Sequence, residues 1–305
     1  MSLALIFPGQ GAQTPAMGAG VVDAGSPGNA MAREASALVG LDLVRLACEA
    51  GAEEIRPTEV AQPLLLLLSA ALLETLPAAT RAEVTSVAGH SLGEYTALVA
   101  AGSLDWRDAL QLVRERGLAM AEAAQGLGQG MSAVLGADEE AVAGALAGAR
   151  DGGAVVANIN APGQVVISGH LAALEEAAER LKAVGARRVM PLEVAGAFHS
   201  PLMADAALRL ATAIDAAPLR TGIPQAFNVD GAVRTEPVDI AAALRLQLTS
   251  PVRWTACVQT LLDRGVDRFL ELGPGTTLSA MGKRINPAVS WTAAATPQAL
   301  AAVEV

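Results

Sequence analysis

At 305 residues the chain has room for one large α/β domain, or for a large domain with a smaller one inserted. Its 52% hydrophobic and 17% charged content excludes a largely disordered chain, and with 3% aromatics the core must be built from Ala, Leu and Val. A net charge of −10 argues against nucleic-acid binding, and two distant cysteines with three histidines, lacking H-E-x-x-H or C-x-x-C spacing, offer neither a disulfide framework nor a metal site.

Leu3–Phe7 reads as a first buried strand running into the turn Pro8-Gly9-Gln10-Gly11-Ala12-Gln13. No basic segment precedes it, so no export leader is expected and the chain reads as cytoplasmic. The turn lacks both G-x-G-x-x-G and the P-loop ending, which weakens a phosphate-cradle reading. The alternative is a loop whose N–H groups face the tip of a neighbouring strand. Residues 19–59 alternate small residues with helical patches and carry no chemical signal. Leu64–Leu76 reads as a buried core helix, with Pro63 in its first turn and Pro77 closing it. It contains Ser69, Glu74 and Thr75 and falls short of the ~20 residues that span a bilayer, so no membrane is implied.

The stretch Val84–Gly102 organises the chain. A β-branched strand leads into Gly89-His90-Ser91-Leu92-Gly93, and a helix-forming run continues to Gly102. Strand, G-x-S-x-G and helix in that order make a nucleophile elbow, with the Ser91 hydroxyl exposed at its tip. The plain alternative is a serine that caps a helix. The Leu92 N–H would face an oxyanion forming on a carbonyl attacked by Ser91. If the first strand lies beside Val84–Ala88, the Gln10 N–H completes that hole.

After Ser103 and Asp105 a helix is predicted over Trp106–Ala124, its apolar stripe formed by Ala109, Leu110, Val113, Gly117 and Met120. Arg116 falls on the edge of this stripe, where a buried cation needs an anionic partner. A structural Glu or Asp is the simpler partner; a substrate carboxylate is the other. Beyond the break at Gly126–Gly130 the pattern changes. Met131–Leu135, Val155–Ile159, Gln164–Ser168 and Ala186–Leu192 read as strands, and Glu139–Ala149 and Leu171–Val184 as helices. That order, βαββαβ, is a ferredoxin-like unit suited to insertion into a larger domain.

The chain then reaches the loop Ala195–Met203, carrying His199, with a helix after Pro201. Arg268–Leu272 is a strand leading into Gly273-Pro274-Gly275, a helix starts at about Thr277, and Trp291–Ala294 is a last strand. A serine nucleophile needs a base. His90 beside Ser91 is badly aimed, His170 most simply begins a helix, and His199 lies where the chain leaves the inserted unit. His199 leads by position, with His170 and neither of them still open. No acidic third member is evident, so a backbone carbonyl is the expected orienting group.

These residues carry a resemblance. FPGQGAQ at 7–13, GHSLGEY at 89–95, LVRERG at 112–117, NAPGQVVISG at 160–169, AFHSPLM at 197–203, QLTSPVRW at 247–254 and ELGPG at 271–275 stand in one order along essentially the whole chain. The sequence resembles the malonyl-CoA:acyl carrier protein transacylases of fatty-acid and polyketide synthesis. The resemblance implies an α/β-hydrolase-like large domain with a central, mostly parallel sheet (residues 1–126 and 193–305) and an inserted ferredoxin-like small domain (127–192).

It implies Ser91 as nucleophile, His199 as its base, and Gln10 and Leu92 as oxyanion-hole donors. Arg116 would pair the malonyl carboxylate, which reverses the simpler preference above. Gln247 would orient the histidine through its backbone carbonyl, His90 and Asn160 would border the pocket, and Phe198 with Leu92 fits the malonyl-selecting pattern. The implied reaction is ping-pong transfer of malonyl from malonyl-CoA to the phosphopantetheine thiol of acyl carrier protein through a malonyl-serine ester, for fatty-acid synthesis. No cofactor or metal is implied, and a monomer is the default while the oligomeric state stays open. A free-standing polyketide acyltransferase, a malonate decarboxylase transacylase subunit and a serine esterase are the alternatives. Lys182, Arg187, Arg188, Lys283 and Arg284 are the candidate docking patch for the acidic carrier protein.

Overall fold

The computed structural model describes residues 2–147 and 153–303. Among the described residues ten strands form two sheets: β1 Leu3–Phe7, β2 Val84–Gly89, β3 Gln129–Leu135, β4 Val155–Ala161, β5 Gln164–His170, β6 Arg188–Pro191, β7 Gln225–Ala226, β8 Val233–Arg234, β9 Arg268–Leu272 and β10 Ser290–Ala294. The large sheet runs β10-β9-β1-β2-β7-β8 and is parallel throughout except for β8. All five residues of β1 are buried, which is why its sequence is apolar at consecutive positions instead of alternating.

β1 is the point where the winding reverses. The chain moves from β1 to β2 and on to β7 and β8 on one side, then returns to β9 on the other. The loops that follow β1, β2 and β9 therefore gather at one carboxyl edge, where open α/β sheets hold their ligands. The register pairs Phe7 with Gly89, so the loop from Pro8 and the turn at His90 start level with each other. The sequence-based condition that the first strand lies beside the elbow strand is met.

The second sheet, β4-β5-β3-β6, is antiparallel and carries the helices Glu139–Leu146 and Leu171–Ala183. This is the expected ferredoxin-like βαββαβ. The first of its helices was expected to reach Ala149; it ends at Leu146, and Gly148 and Ala149 lie outside the described residues. The outer edge of β4 is covered by the large unit. Ile159 donates its N–H to the Val252 carbonyl at 2.9 Å and the Ala157 carbonyl accepts the Val252 N–H at 2.8 Å. Pairing this edge removes an exposed strand and fixes the small sheet over the large one.

One expectation is corrected. Pro63 does not open a helix; it lies inside the helix Thr58–Glu74. An internal proline cannot donate to the carbonyl four residues earlier, here that of Glu59. Arg114, on the neighbouring helix Trp106–Ala124, donates its Nη1 to that carbonyl at 2.7 Å, so the helix continues past the proline. The compensation is tested by a double-mutant cycle. Arg114→Ala should cost about 1–2 kcal/mol in urea unfolding. In a Pro63→Ala background the cost should shrink, because residue 63 then supplies its own N–H. Equal costs in both backgrounds would show that Arg114 does not serve the proline.

Candidate active site

The elbow is built by close approach. A Cβ at Gly93 would stand 2.1 Å from the Phe7 carbonyl oxygen, and one at Gly89 would stand 2.0 Å from the Gly93 carbonyl. Only glycine lets the helix Gly93–Ala101 start directly over the strand that feeds it. The turn leaves Ser91 at φ 52°, and among the described residues only Ala16, Ser91 and His199 lack glycine's freedom at positive φ. Two of these three face each other at the site, which is where such strain concentrates. The strained serine is pinned on both sides: its N–H donates to Asn228 Oδ1 at 2.7 Å, and its carbonyl accepts from Gln247 Nε2 at 2.9 Å.

Of the three histidines, the fold brings His199 to Ser91. Its Nε2 lies 2.8 Å from Ser91 Oγ, and its Nδ1 lies 3.0 Å from the Gln247 carbonyl oxygen. A carbonyl can only accept, so Nδ1 carries the proton and Nε2 presents a lone pair to the hydroxyl. Burial, reinforced by the positive charge of Arg116, pulls the His199 pKa down to about 3. The imidazole is therefore neutral and ready to take a proton. His90 points away, its Nε2 2.8 Å from Asn160 Oδ1 on β4, which ties the elbow to the small sheet. His170 sits at the surface with its Nδ1 3.4 Å from the Leu127 carbonyl. Asp205 is exposed on the helix Ala204–Ala216 and takes no part.

Arg116 is 1% exposed, far deeper than the edge of a stripe. Among the described residues no carboxylate touches it. Its Nη2 donates to Ser91 Oγ at 3.0 Å, and Nε and Nη2 donate to Gln247 Oε1 at 3.2 and 3.0 Å. The guanidinium carbon stands 5.7 Å from the Tyr95 ring centre. All of these partners are neutral.

Two residues that sequence reasoning passed over complete the framework. Glu94 is wholly buried; its Oε1 accepts the Asn228 backbone N–H at 2.6 Å, and its Oε2 accepts the Gln247 amide. Burial pushes its pKa up to about 7, against the hydrogen bonds from Asn228 and Gln247 and the charge of Arg116. Asn228 also donates Nδ2 to the Gly89 carbonyl at 2.8 Å, bracing the elbow from strand to tip. An acid in a first helical turn looks like an ordinary response to the helix dipole, and Asn228 before Asp230-Gly231 looks like a turn residue. The usable signal was an acid followed by the apolar run Tyr95–Ala101.

A cleft of about 490 Å³ opens over Ser91, lined by Gln10, His90, Asn160, Phe198 and His199 among others. Gln10 reaches it because the loop 8–13 lies against the elbow, a Cβ at Gly9 meeting the His90 carbonyl oxygen at 2.3 Å. Among the described residues neither the Gln10 nor the Leu92 backbone N–H has an acceptor. Leu92 itself is buried beside the serine. Of the basic patch, Lys182 pairs with Glu179, and Arg187, Arg188 and Lys283 are exposed. Arg284 bonds Gln164 and the Pro162 carbonyl of the small unit. Among the described residues no cluster of three or more metal-ligating side chains occurs, and no helix is long and apolar enough to cross a membrane.

A parallel sheet, a strained serine at its carboxyl edge and a neutral imidazole in contact with that hydroxyl define an α/β enzyme laid out for acyl chemistry. The chain belongs to the acyl transferase domain family, whose model matches residues 4–295. It is 40% identical over 303 residues to a malonyl CoA-acyl carrier protein transacylase of Bacillus subtilis (strain 168), covering 98% of this chain and 95% of that one. Among solved structures, an acyl carrier protein S-malonyltransferase from Vibrio cholerae superposes with a TM-score of 0.93 at 37% identity, covering 100% of both chains. A type II PKS acyl-carrier protein in complex with its malonyl-transacylase is similar at a TM-score of 0.93 and 36% identity, over 99% of this chain and 98% of that one.

The shifted imidazole has a consequence for pH. A base acts in its neutral form, and a lowered pKa keeps that form to lower pH. Inactivation of Ser91 by an uncharged sulfonyl fluoride should therefore hold its rate from about pH 8 down to about pH 5. A falling limb near the ordinary histidine value of 6.5 would show that His199 titrates normally.

Proposed function

We propose that this chain is a malonyl-CoA:acyl carrier protein S-malonyltransferase that works through a malonyl ester on Ser91. The observation that carries the reading is Arg116: a buried guanidinium bonded to the Ser91 hydroxyl, with only neutral partners of its own. A cation held there without an ion pair suits an acyl group that brings a carboxylate. The relatives' names, and the complex of such an enzyme with its carrier protein, support the same substrate pair.

In this reading His199 Nε2 takes the Ser91 proton as Oγ attacks the thioester carbonyl, while Gln247's carbonyl holds the imidazole in the required tautomer. The Gln10 and Leu92 N–H groups receive the developing oxyanion. Collapse expels the CoA thiolate, which takes the proton back from His199, and the malonyl-serine ester remains. The phosphopantetheine thiol of the carrier protein then enters the cleft, His199 removes its proton, and the same steps run in reverse.

Phe198 closes the apolar side of the cleft, and the His90–Asn160 bond fixes its small-unit wall. Every step uses side chains of this chain, malonyl-CoA being a substrate and the phosphopantetheine arm the partner's, so the reading calls for no cofactor. We take residues 127–192 as the small domain and 1–126 with 193–305 as the large one. Two unbridged cysteines are in keeping with a cytoplasmic setting.

Two measurements test this. Malonyl-CoA should add one malonyl group to the intact protein, mapping to Ser91 and absent in Ser91→Ala; an adduct elsewhere overturns the mechanism. Arg116→Ala should lower kcat/KM for malonyl loading by roughly thirty- to several-thousand-fold, as about 2–5 kcal/mol of a truncated buried pair implies. Acetyl loading should fall far less. Equal losses for both acyl groups, together with a lower melting temperature, would make Arg116 a purely structural residue.

A further inference from the structure

The mechanism above leaves the buried carboxylate beside the elbow, Glu94, without a task. Glu94 lies at the back of the site, and Gln247 stands between it and Arg116. The Gln247 amide is locked in one orientation. Its Nε2 donates to the Glu94 carboxylate and to the Ser91 carbonyl, and its Oε1 accepts twice from Arg116. Turning it over would set an NH2 against a guanidinium and an oxygen against a carboxylate. Cation and anion therefore sit at the two ends of one neutral amide, linked through it and not in contact.

This spacing resolves a conflict. A buried guanidinium with no negative charge nearby is costly to keep. A guanidinium in direct contact with a protein carboxylate has its fork filled and its charge spent. Burial lowers the Arg116 pKa, and Glu94, whose two oxygens both accept hydrogen bonds as an ionised carboxylate does, opposes that from one amide away, while Nη2 still reaches the serine hydroxyl where the acyl group forms.

We propose that Gln247 is a neutral spacer that keeps the Glu94 charge off Arg116, and that this separation makes the site select acyl groups bringing their own carboxylate. Glu94 is then a positioning residue for selectivity, acting through Gln247 and never touching the acyl group. The proposal rests on the reading of Arg116 as the partner of the acyl carboxylate.

The test moves the carboxylate one link closer without changing the composition. In the double variant Glu94→Gln with Gln247→Glu, the backbone carbonyl that holds His199 is retained and the carboxylate faces Arg116 directly. The ratio of malonyl to acetyl loading, each as kcat/KM by intact mass, should fall by on the order of tenfold or more, because a like charge now opposes the incoming carboxylate. Gln247→Glu alone reads the same quantity, since of two neighbouring carboxyls the one against the guanidinium ionises.

An unchanged ratio in a folded variant overturns the proposal, as does a parallel loss of both loadings, which a merely structural role predicts. Both variants keep Arg116 paired but lose the N–H that Gln247 gives the Ser91 carbonyl, so the ratio is read against Gln247→Met, which loses that bond without adding a carboxylate; failure of both to fold also counts against the proposal. Arg116→Ala, run alongside, separates the two ideas. If it too leaves the ratio unchanged, the role of Arg116 is what fails. If it collapses the ratio while the carboxylate swap does not, the spacer alone is wrong.

Discussion

Everything at the site depends on how closely one helix starts above one strand. The Phe7 carbonyl lies under Gly93, and Gly89 lies under the Gly93 carbonyl, at separations that no Cβ tolerates. That contact forces the reversal at Ser91 and puts its φ in a region a serine does not choose. Such a conformation persists only where the surroundings over-determine it. Here Asn228 and Gln247 hold the two faces of the Ser91 backbone, and Glu94 holds Asn228 and Gln247. Strain at the tip and order behind it are parts of one arrangement.

The electrostatics follow from burial more than from pairing. His199 is kept neutral because charging it would place an imidazolium, out of water, beside Arg116. A carboxylate in contact with Nδ1 would work against this by stabilising the charged form. The Gln247 carbonyl, 3.0 Å from Nδ1, lacks that effect, in keeping with the base proposed for His199. Gln247 thus serves twice: its main chain sets the histidine and its side chain sets the arginine.

Much of this was legible in the sequence, and the reasons are local. The elbow could be read because strand, glycines and helix lie within nineteen residues, Val84 to Gly102. The inserted unit could be read because the hydrophobic period changes at Gly126–Gly130. What escaped depends on partners distant along the chain. Pro63 was placed at a helix start because its compensation comes from Arg114 on another helix. For Arg116 the residues alone favour a structural carboxylate and the resemblance a substrate one, and its actual partner Gln247 stands 131 residues away with Glu94 behind it, an ordinary first-turn acid in the sequence. The strands β7 and β8, two residues each, are too short to leave a pattern.

The order of the large sheet also bears on how the protein is made. β1 is flanked by β2 on one side and by β9 on the other, and Ser2 donates its N–H to Asp267 across 265 positions. During synthesis β1 can pair on one side once β2 has emerged. Its other side waits until Leu272 is out. Through that interval a fully apolar strand keeps one edge open, and contacts of such long sequence separation form slowly. The serine turn rests on β1, so a nascent chain lacking its last strands has the parts of the elbow without the rigid floor beneath it. Both edges of β1 are paired only when β9 is in place, so the floor of the serine turn closes with a strand about 180 residues further along the chain.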